Sequence, residues 1–441
     1  MAGDLPATAF FARLGASKVE YSKTLKRWAI TGLSVVWMGL GQFVTGEYVK
    51  GLILALFQGF VAVFALTPLR QAWWGLITLG TEPGRDHSIF LLAQGLLGLI
   101  ITILLALLYV GNIRDAHTQA KRFLEGKKAL PFRQMLKKFW INAEAYLWLA
   151  PGTLLVIFVA LFPVFFGMSL AFTSYDLFNS PPARLVKWVG LQNFVDLFSI
   201  KSWRGTMTSV LQWNIVWAIV STFTSFAAGF GLALLMNRED IRFRTFFRTA
   251  FILPWAMPSF ISALVWTGLF NTTFGPINEV LGYLGVSPIP WLSNAMWARI
   301  ALFIVNVWMG FPFQMVLCLG ILQGIPRELY EAAWVDGATE RQGFWYITLP
   351  SVLYAVGPML ILQLAGNFNN FGLIYLLTGG GPTVFGNRGA GATDLLISWM
   401  YKLTFNLSKF NYAAAVGILI FIPVALISVY NLRQTRAFKE G

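Results

Sequence analysis

Four side-chain amides, Gln363, Asn367, Asn369 and Asn370, stand in one otherwise apolar stretch, 351–377. Gln363, Asn367 and Asn370 are spaced i, i+4 and i+7, which puts them on one face of a helix. An uncharged amide both donates and accepts hydrogen bonds. Such a row suits a neutral, polyhydroxylated ligand. It equally suits bonding one helix to another, because an amide facing lipid is costly and must find partners. Asn306, Gly310 and Phe313 repeat the spacing in a second apolar stretch, 300–322. There Gly310 opens space, and Phe313 offers a flat apolar face on which a pyranose ring can stack. On residue type alone, ligand lining and interhelical bonding weigh evenly.

A different chemistry, docking, is written in the polar interval 325–350. It carries Glu331-Ala332-Ala333, then Gly337, then Ile347-Thr348-Leu349-Pro350. Pro326 suits the first turn of a helix, where its missing N–H is no loss. A helix is expected from Arg327 to about Gln342. Ala332, Ala333 and Gly337 would leave part of one side nearly bare, so that another protein surface can approach the backbone. Gly343 is expected to end this helix, and Pro350 to open the next apolar run.

The elements that position these residues must be membrane helices. The chain of 441 residues is 57% hydrophobic and only 12% charged. A soluble protein would carry about twice that charge. Nine apolar stretches occur, roughly 28–46, 51–67, 88–111, 145–173, 207–236, 249–270, 300–322, 351–377 and 412–431, and none contains Asp, Glu, Lys, Arg or His. Several reach the length of about 18 residues that a helix needs to cross a bilayer. The fold class is therefore all-α and polytopic. Pro163, Pro254 and Pro258 fall inside such stretches and are expected to kink or break their helices.

Lys and Arg orient the spans. The interval 112–144 holds eight, 237–248 holds four and the tail after 431 holds three, while 271–297 holds none. The first three should be cytoplasmic and the last external. Crossing the membrane from 145 onward then places the Glu331 loop inside. The first 27 residues carry five basic residues, which favours a cytoplasmic N-terminus. That requires the stretches 28–67 to cross once, with 28–46 interfacial or re-entrant; Gly39-Leu40-Gly41-Gln42 fits a broken element. The expected organisation is an N-terminal membrane segment at 1–111, a basic linker at 112–144 and a six-span core at 145–441. About eight spans result, with both termini inside; nine spans with an external N-terminus is the alternative.

Several function classes are disfavoured. The net charge of +14 is explained by cytoplasmic loops and needs no nucleic acid. The single Cys318 and the two histidines, His87 and His117, both expected in solvated loops, offer no metal or disulfide framework. No G-x-x-x-x-G-K-[ST] run is present, so no P-loop is expected. No nucleophile–base pair or paired carboxylate lies in a span, which argues against a membrane enzyme. A proton-coupled secondary transporter would need a titratable group in its pathway, and the spans have none.

The Glu331-Ala332-Ala333…Gly337…Ile347-x-Leu349-Pro350 pattern resembles the EAA loop of permease subunits in binding-protein-dependent ATP-binding-cassette (ABC) importers. From about 145 onward the chain is similar to the maltose/maltodextrin permease subunit of the MalF type. The stretches that carry this are Phe251-Ile252-Leu253-Pro254 leading into Pro258-Ser259-Phe260-Ile261-Ser262, and Trp308-Met309-Gly310-Phe311-Pro312-Phe313. Asn367-Phe368-Asn369-Asn370-Phe371 and Leu376-Leu377-Thr378-Gly379-Gly380-Gly381-Pro382 complete the set. The resemblance implies a type I importer core whose sugar site, midway across the membrane, includes Gly310, Phe313, Asn367 and Asn370. It implies coupling through Glu331, Ala332, Ala333 and Gly337 to two ATPase subunits of the MalK type. A homologous second permease of the MalG type and an extracytoplasmic sugar-binding protein complete the machine. ATP is used by the partners, and no cofactor is expected on this chain. Two departures stand out. The family's tyrosine is Phe313 here, which keeps a stacking surface but loses a hydroxyl. The external interval 174–206 lacks the large folded domain of the enteric maltose permease. Other neutral sugars, such as cyclodextrin or trehalose, fit the same residues.

Overall fold

The structure is a computed structural model that describes residues 7–129 and 131–434. Among these residues it contains helices and no strand. Six helices are long and apolar enough to cross a bilayer: Ser88–Leu124, Arg133–Leu170, Lys201–Asn237, Ala295–Gly324, Glu340–Phe368 and Phe410–Tyr430. Two bent pairs, Tyr48–Val63 with Leu66–Thr78 and Arg244–Ala256 with Ser259–Leu269, bring the total to eight if each is one crossing. The break expected at Pro254 and Pro258 is the 95° bend of the second pair.

The chain forms two compact units. The first runs to Gly167 and includes Phe178–Lys187. Its α1 (Ala7–Val36) ends in a turn at Gly39, whose φ of 90° suits glycine. A single-turn α2 (Leu40–Val44) and α3 (Tyr48–Phe60) follow, and a π-helical turn joins α3 to α4 (Leu66–Thr78). Both α1 and α4 pack on α5 (Ser88–Leu124), and α6 (Phe132–Leu155) comes next. The interval 112–144, expected as a linker, is largely helical, since α5 continues to Leu124 and α6 begins at Phe132. The cause is local: Asn112, Ala116 and Ala120, at i, i+4 and i+8, are buried and form the seat on which α1 packs. His117 shares this helix, with its Nδ1 3.2 Å from the Thr31 hydroxyl, so it is not a loop residue.

The second unit comprises Met168–Leu177 and the chain from Trp188 onward. After α7 (Phe162–Leu170) and the short α8 (Gln192–Ser199) comes α9 (Lys201–Asn237), followed by α10 (Arg244–Ala256), α11 (Ser259–Leu269) and α12 (Pro276–Tyr283). Next are α13 (Ala295–Gly324), α14 (Arg327–Val335), α15 (Glu340–Gly343), α16 (Leu349–Phe368), α17 (Phe371–Thr378), α18 (Leu396–Phe405) and α19 (Phe410–Gln434). The central pair is α9 with α13, and α16 packs against both.

Apolar side chains divide this core into layers. Trp213, Trp217, Leu302, Val305 and Ile374 form one cluster. Phe226, Phe230, Met315, Cys318, Val352 and Val356 form another. Along α9 the residues between them are Ser221, Thr222 and Ser225; along α13 they are Asn306, Gly310 and Gln314. A polar layer is thus held between two apolar ones by helices that continue through all three.

The segment 379–395 is pinned to this unit by a buried ion pair. The Lys402 ammonium lies 2.6 Å from the Asp394 carboxylate. The same carboxylate accepts from the Gly391 N–H at 2.7 Å and from the Ser398 hydroxyl at 2.8 Å. Burial pushes the Asp394 carboxyl above the usual range, and Lys402 pulls it back. Asp394→Ala would leave the cation and the N–H without an anion. It is expected to destabilise this unit by about 3–5 kcal/mol. The check is a clear fall in the unfolding temperature of the purified protein, with Asp394→Asn falling less because it retains acceptors.

Candidate functional site

Within the polar layer lies a cavity of about 380 Å³. Asn306, Met309 and Gly310 reach it from α13, Gln363 and Asn367 from α16, and Ser259 and Phe260 from the first turn of α11. Asn370, Gly372, Leu373 and Leu376 close it from the start of α17. Three of the four expected binding residues, Gly310, Asn367 and Asn370, therefore line one space. Each amide is oriented by bonds at one end only, and Asn306 Nδ2 makes two, the second to the Ser221 carbonyl at 3.5 Å. Asn367 Nδ2 donates to the Thr222 hydroxyl at 2.9 Å, and Asn306 Nδ2 donates to the Ser225 hydroxyl at 3.2 Å. Gln363 Oε1 accepts from Gln314 Nε2, and Asn370 Oδ1 accepts from the Leu373 N–H at 3.3 Å. The opposite atom of each amide has no bonding partner among the described residues. Two carbonyl oxygens, on Asn306 and Asn367, and two NH₂ groups, on Gln363 and Asn370, remain for a ligand. Interhelical bonding and lining, alternatives at the level of residue type, here use different ends of the same side chains.

Gly310 is where α13 approaches α9 closely. A Cβ there would come within 2.9 Å of the Ser225 hydroxyl and 3.1 Å of its Cβ.

Two expectations need correction. Asn370 is not on one continuous helix with Gln363 and Asn367, because α16 ends at Phe368 and Asn370 caps the N-terminus of α17. An asparagine side chain accepts a free N–H at such a break, which is why the break falls there. Phe313 does not line the cavity. Its ring stands 5.8 Å from Trp255 at 62° to it. Phe313 lies nearly one turn further along α13 than Gly310, at the level where α10 supplies Trp255, beyond the residues that line the cavity. The aromatic wall of the cavity is Phe260 instead. The three hydroxyls behind the amides, Ser221, Thr222 and Ser225, were readable in the sequence as a polar patch in the apolar run 207–236.

The segment 325–350 also differs from expectation. α14 stops at Val335, short of Gln342. Gly337 adopts φ 80° with no atom near its missing Cβ, so it terminates the helix instead of baring its side. A new start follows at Thr339, whose side chain and that of Gln342 form a capping box. Gly343 does not end a helix: it is buried within Glu340–Phe368, which continues into α16. Glu331 and Ala332 are exposed and Ala333 is half-buried. Beside them Trp334, Val335, Trp345 and Tyr346 are all more than half exposed, an apolar surface bordering a charged helix. Tyr330 anchors α14 to the root of α16 by a hydroxyl contact of 2.9 Å with Thr348.

Comparison with known proteins is consistent with this geometry. Residues 225–433 match the family described as binding-protein-dependent transport system inner membrane component. The galactooligosaccharides transport system permease protein GanP of Bacillus subtilis is 43% identical over 404 residues, 91% of this chain and 96% of GanP. The maltodextrin permease MalC of Streptococcus pneumoniae is 41% identical, covering 91% of this chain and 94% of MalC. The maltose/maltodextrin permease MalF of Escherichia coli is 42% identical over 252 residues, 56% of this chain and 49% of MalF. In overall fold the chain resembles a subunit of a bacterial ABC transporter involved in alginate import (TM-score 0.55, 23% identity, 68% of this chain and 99% of that one). From the permease relatives that match over nine-tenths of its length, the chain belongs to the family of inner-membrane permease components of binding-protein-dependent transport systems.

Proposed function

We propose that this chain carries a neutral oligosaccharide of the maltose/maltodextrin type across the cytoplasmic membrane. The observation that carries the reading is the cavity itself. Among the described residues its polar lining is amides and one serine, with no lysine, arginine or carboxylate. Free acceptors on Asn306 and Asn367 and free donors on Gln363 and Asn370 match sugar hydroxyls, which both donate and accept. Phe260 supplies an apolar face. An acidic polysaccharide would lack a cation to meet its carboxylates. Galactooligosaccharides, the substrate in the name of one relative, share this neutral chemistry with maltodextrins, as do cyclodextrin and trehalose.

In this reading the chain is a passive gate with no ATP site of its own. It pairs with a second permease of the MalG type, and two MalK-type ATPases dock beneath, one of them on α14. Closure of the ATPases pushes Glu331-Ala332-Ala333 and turns the cavity toward an external binding protein; hydrolysis returns it. Both termini face the cytoplasm.

The test is uptake of labelled maltose in cells with and without this chain, against a panel of unlabelled sugars. Loss of ATP-dependent uptake, blocked by maltodextrins, is expected. Loss of galactooligosaccharide uptake alone would move the substrate to that class. Uptake abolished at once by an ionophore and indifferent to ATP depletion would mark a secondary transporter and overturn the reading.

A further inference from the structure

On α5 the apolar residues run to Gly111 and the charges begin at Arg114, so the boundary between membrane and water crosses the helix there. Two clefts of the first unit meet at this level. One, of about 470 Å³, is mainly apolar, with Ile53, Phe57 and Leu108 in its wall. The other, of about 520 Å³, is bordered by Arg114, Arg122 and Lys138. Lys50, Asp115 and Phe139 line both, so the two clefts lie side by side.

The charges of this double cleft do not cancel. Lys50 is held by Asp115 at 2.5 Å and by Glu47 at 3.5 Å. Asp115 also accepts from Gln42 at 3.0 Å. Arg114, Arg122 and Lys138 have no side-chain hydrogen bond or ion pair among the described residues. Three cations, of which only Arg122 has an acid, Glu47, near enough to interact, therefore border a water-side cleft beside an apolar one at membrane depth.

We propose that this double cleft binds an anionic phospholipid, with the phosphate among Arg114, Arg122 and Lys138 and an acyl chain along Ile53, Phe57 and Leu108. Two features favour this occupant together. A free phosphate would use only the basic half. A zwitterionic lipid carries its own cation and gains little from three more. Basic pockets between helices at the cytoplasmic boundary bind anionic lipid headgroups.

The experiment uses the complete importer, purified with its partner subunits, and counts retained lipid by native mass spectrometry. Phosphatidylglycerol is expected to be retained in preference to phosphatidylcholine. The combined variant Arg114→Gln, Arg122→Gln, Lys138→Gln is expected to lower phosphatidylglycerol retention by roughly tenfold or more. Neutralising Arg238, Arg242 and Arg244 in the second unit is expected to change it little. Asp115→Asn removes an acid from the cleft wall and is expected to raise retention, a gain that misfolding does not produce. Equal retention of both lipids would overturn the proposal, as would equal losses in the two triple variants. Displacement of the bound lipid by millimolar inorganic phosphate would reduce the site to a simple anion site and also overturn it.

Discussion

Gly337→Val is expected to leave the chain in the membrane and to lower ATP-driven uptake by at least about tenfold, while Gly337→Asn retains most of it. The difference rests on backbone conformation. Gly337 ends α14 at φ 80°, and a Cβ there would meet nothing within 4 Å among the described residues. A left-handed conformation costs an ordinary residue about 1–2 kcal/mol, more when it is β-branched and less for asparagine. Valine would relieve that strain by shifting the turn, and with it the exposed face of α14. Were Gly337 instead a bare spot against which a partner packs, asparagine and valine would both fail. Glu331→Arg reverses an exposed charge without straining the backbone. It is expected to uncouple the partners' ATP hydrolysis from uptake. Sugar uptake and ATPase activity measured on the same membranes separate these cases, and unchanged uptake in both Gly337→Val and Glu331→Arg would sink the docking role.

Gly310→Leu is expected to abolish sugar uptake in an importer that still assembles. Gly310 lines the cavity, and a Cβ there would already press on Ser225 of α9, so the longer side chain both crowds α9 and takes cavity space. A subtler pair distinguishes lining from bonding. Asn370→Asp keeps an oxygen to cap α17 but replaces the free NH₂ with a charged acceptor. Asn370→Ala loses both the cap, about 1 kcal/mol of stability, and the donor. Both are expected to raise the sugar concentration for half-maximal uptake by about two- to tenfold, the worth of one neutral hydrogen bond. Only the alanine variant should also lower thermal stability. If Asn370→Asp transports normally, the amide is a cap alone, and the sugar contacts lie elsewhere in the cavity.

The contrast between these sites shows what was legible in one dimension. The membrane class followed from apolar runs without charge, because lipid imposes length and composition on every span. The gathering of Asn367 and Gln363 followed from helical spacing, since residues four apart share a face wherever the helix packs. The break at Pro254 and Pro258 was equally local, as proline cannot donate an N–H to the helix interior. Each of these is a property of a few neighbouring residues.

Where the reading went astray, the deciding interaction was with another element or with the backbone turn itself. Phe313 shares a spacing with Asn306 and Gly310, yet Trp255 of α10 holds its ring outside the cavity. Phe260 became the aromatic wall through a 95° bend between α10 and α11 that brings the start of α11 to the polar layer. The residues 112–124 look like a charged linker but form a helix because Asn112, Ala116 and Ala120 meet α1. Gly337 looks like a small residue on a helix face and is instead a left-handed stop. The sequence by itself determined that this chain is a membrane permease with an uncharged polar layer, since span length, charge placement and local motif depend on neighbours along the chain. Only the tertiary structure decided which side chains face the cavity and which end of each amide remains free, because both are set by partners such as Thr222, Ser225 and Gln314, far away in sequence.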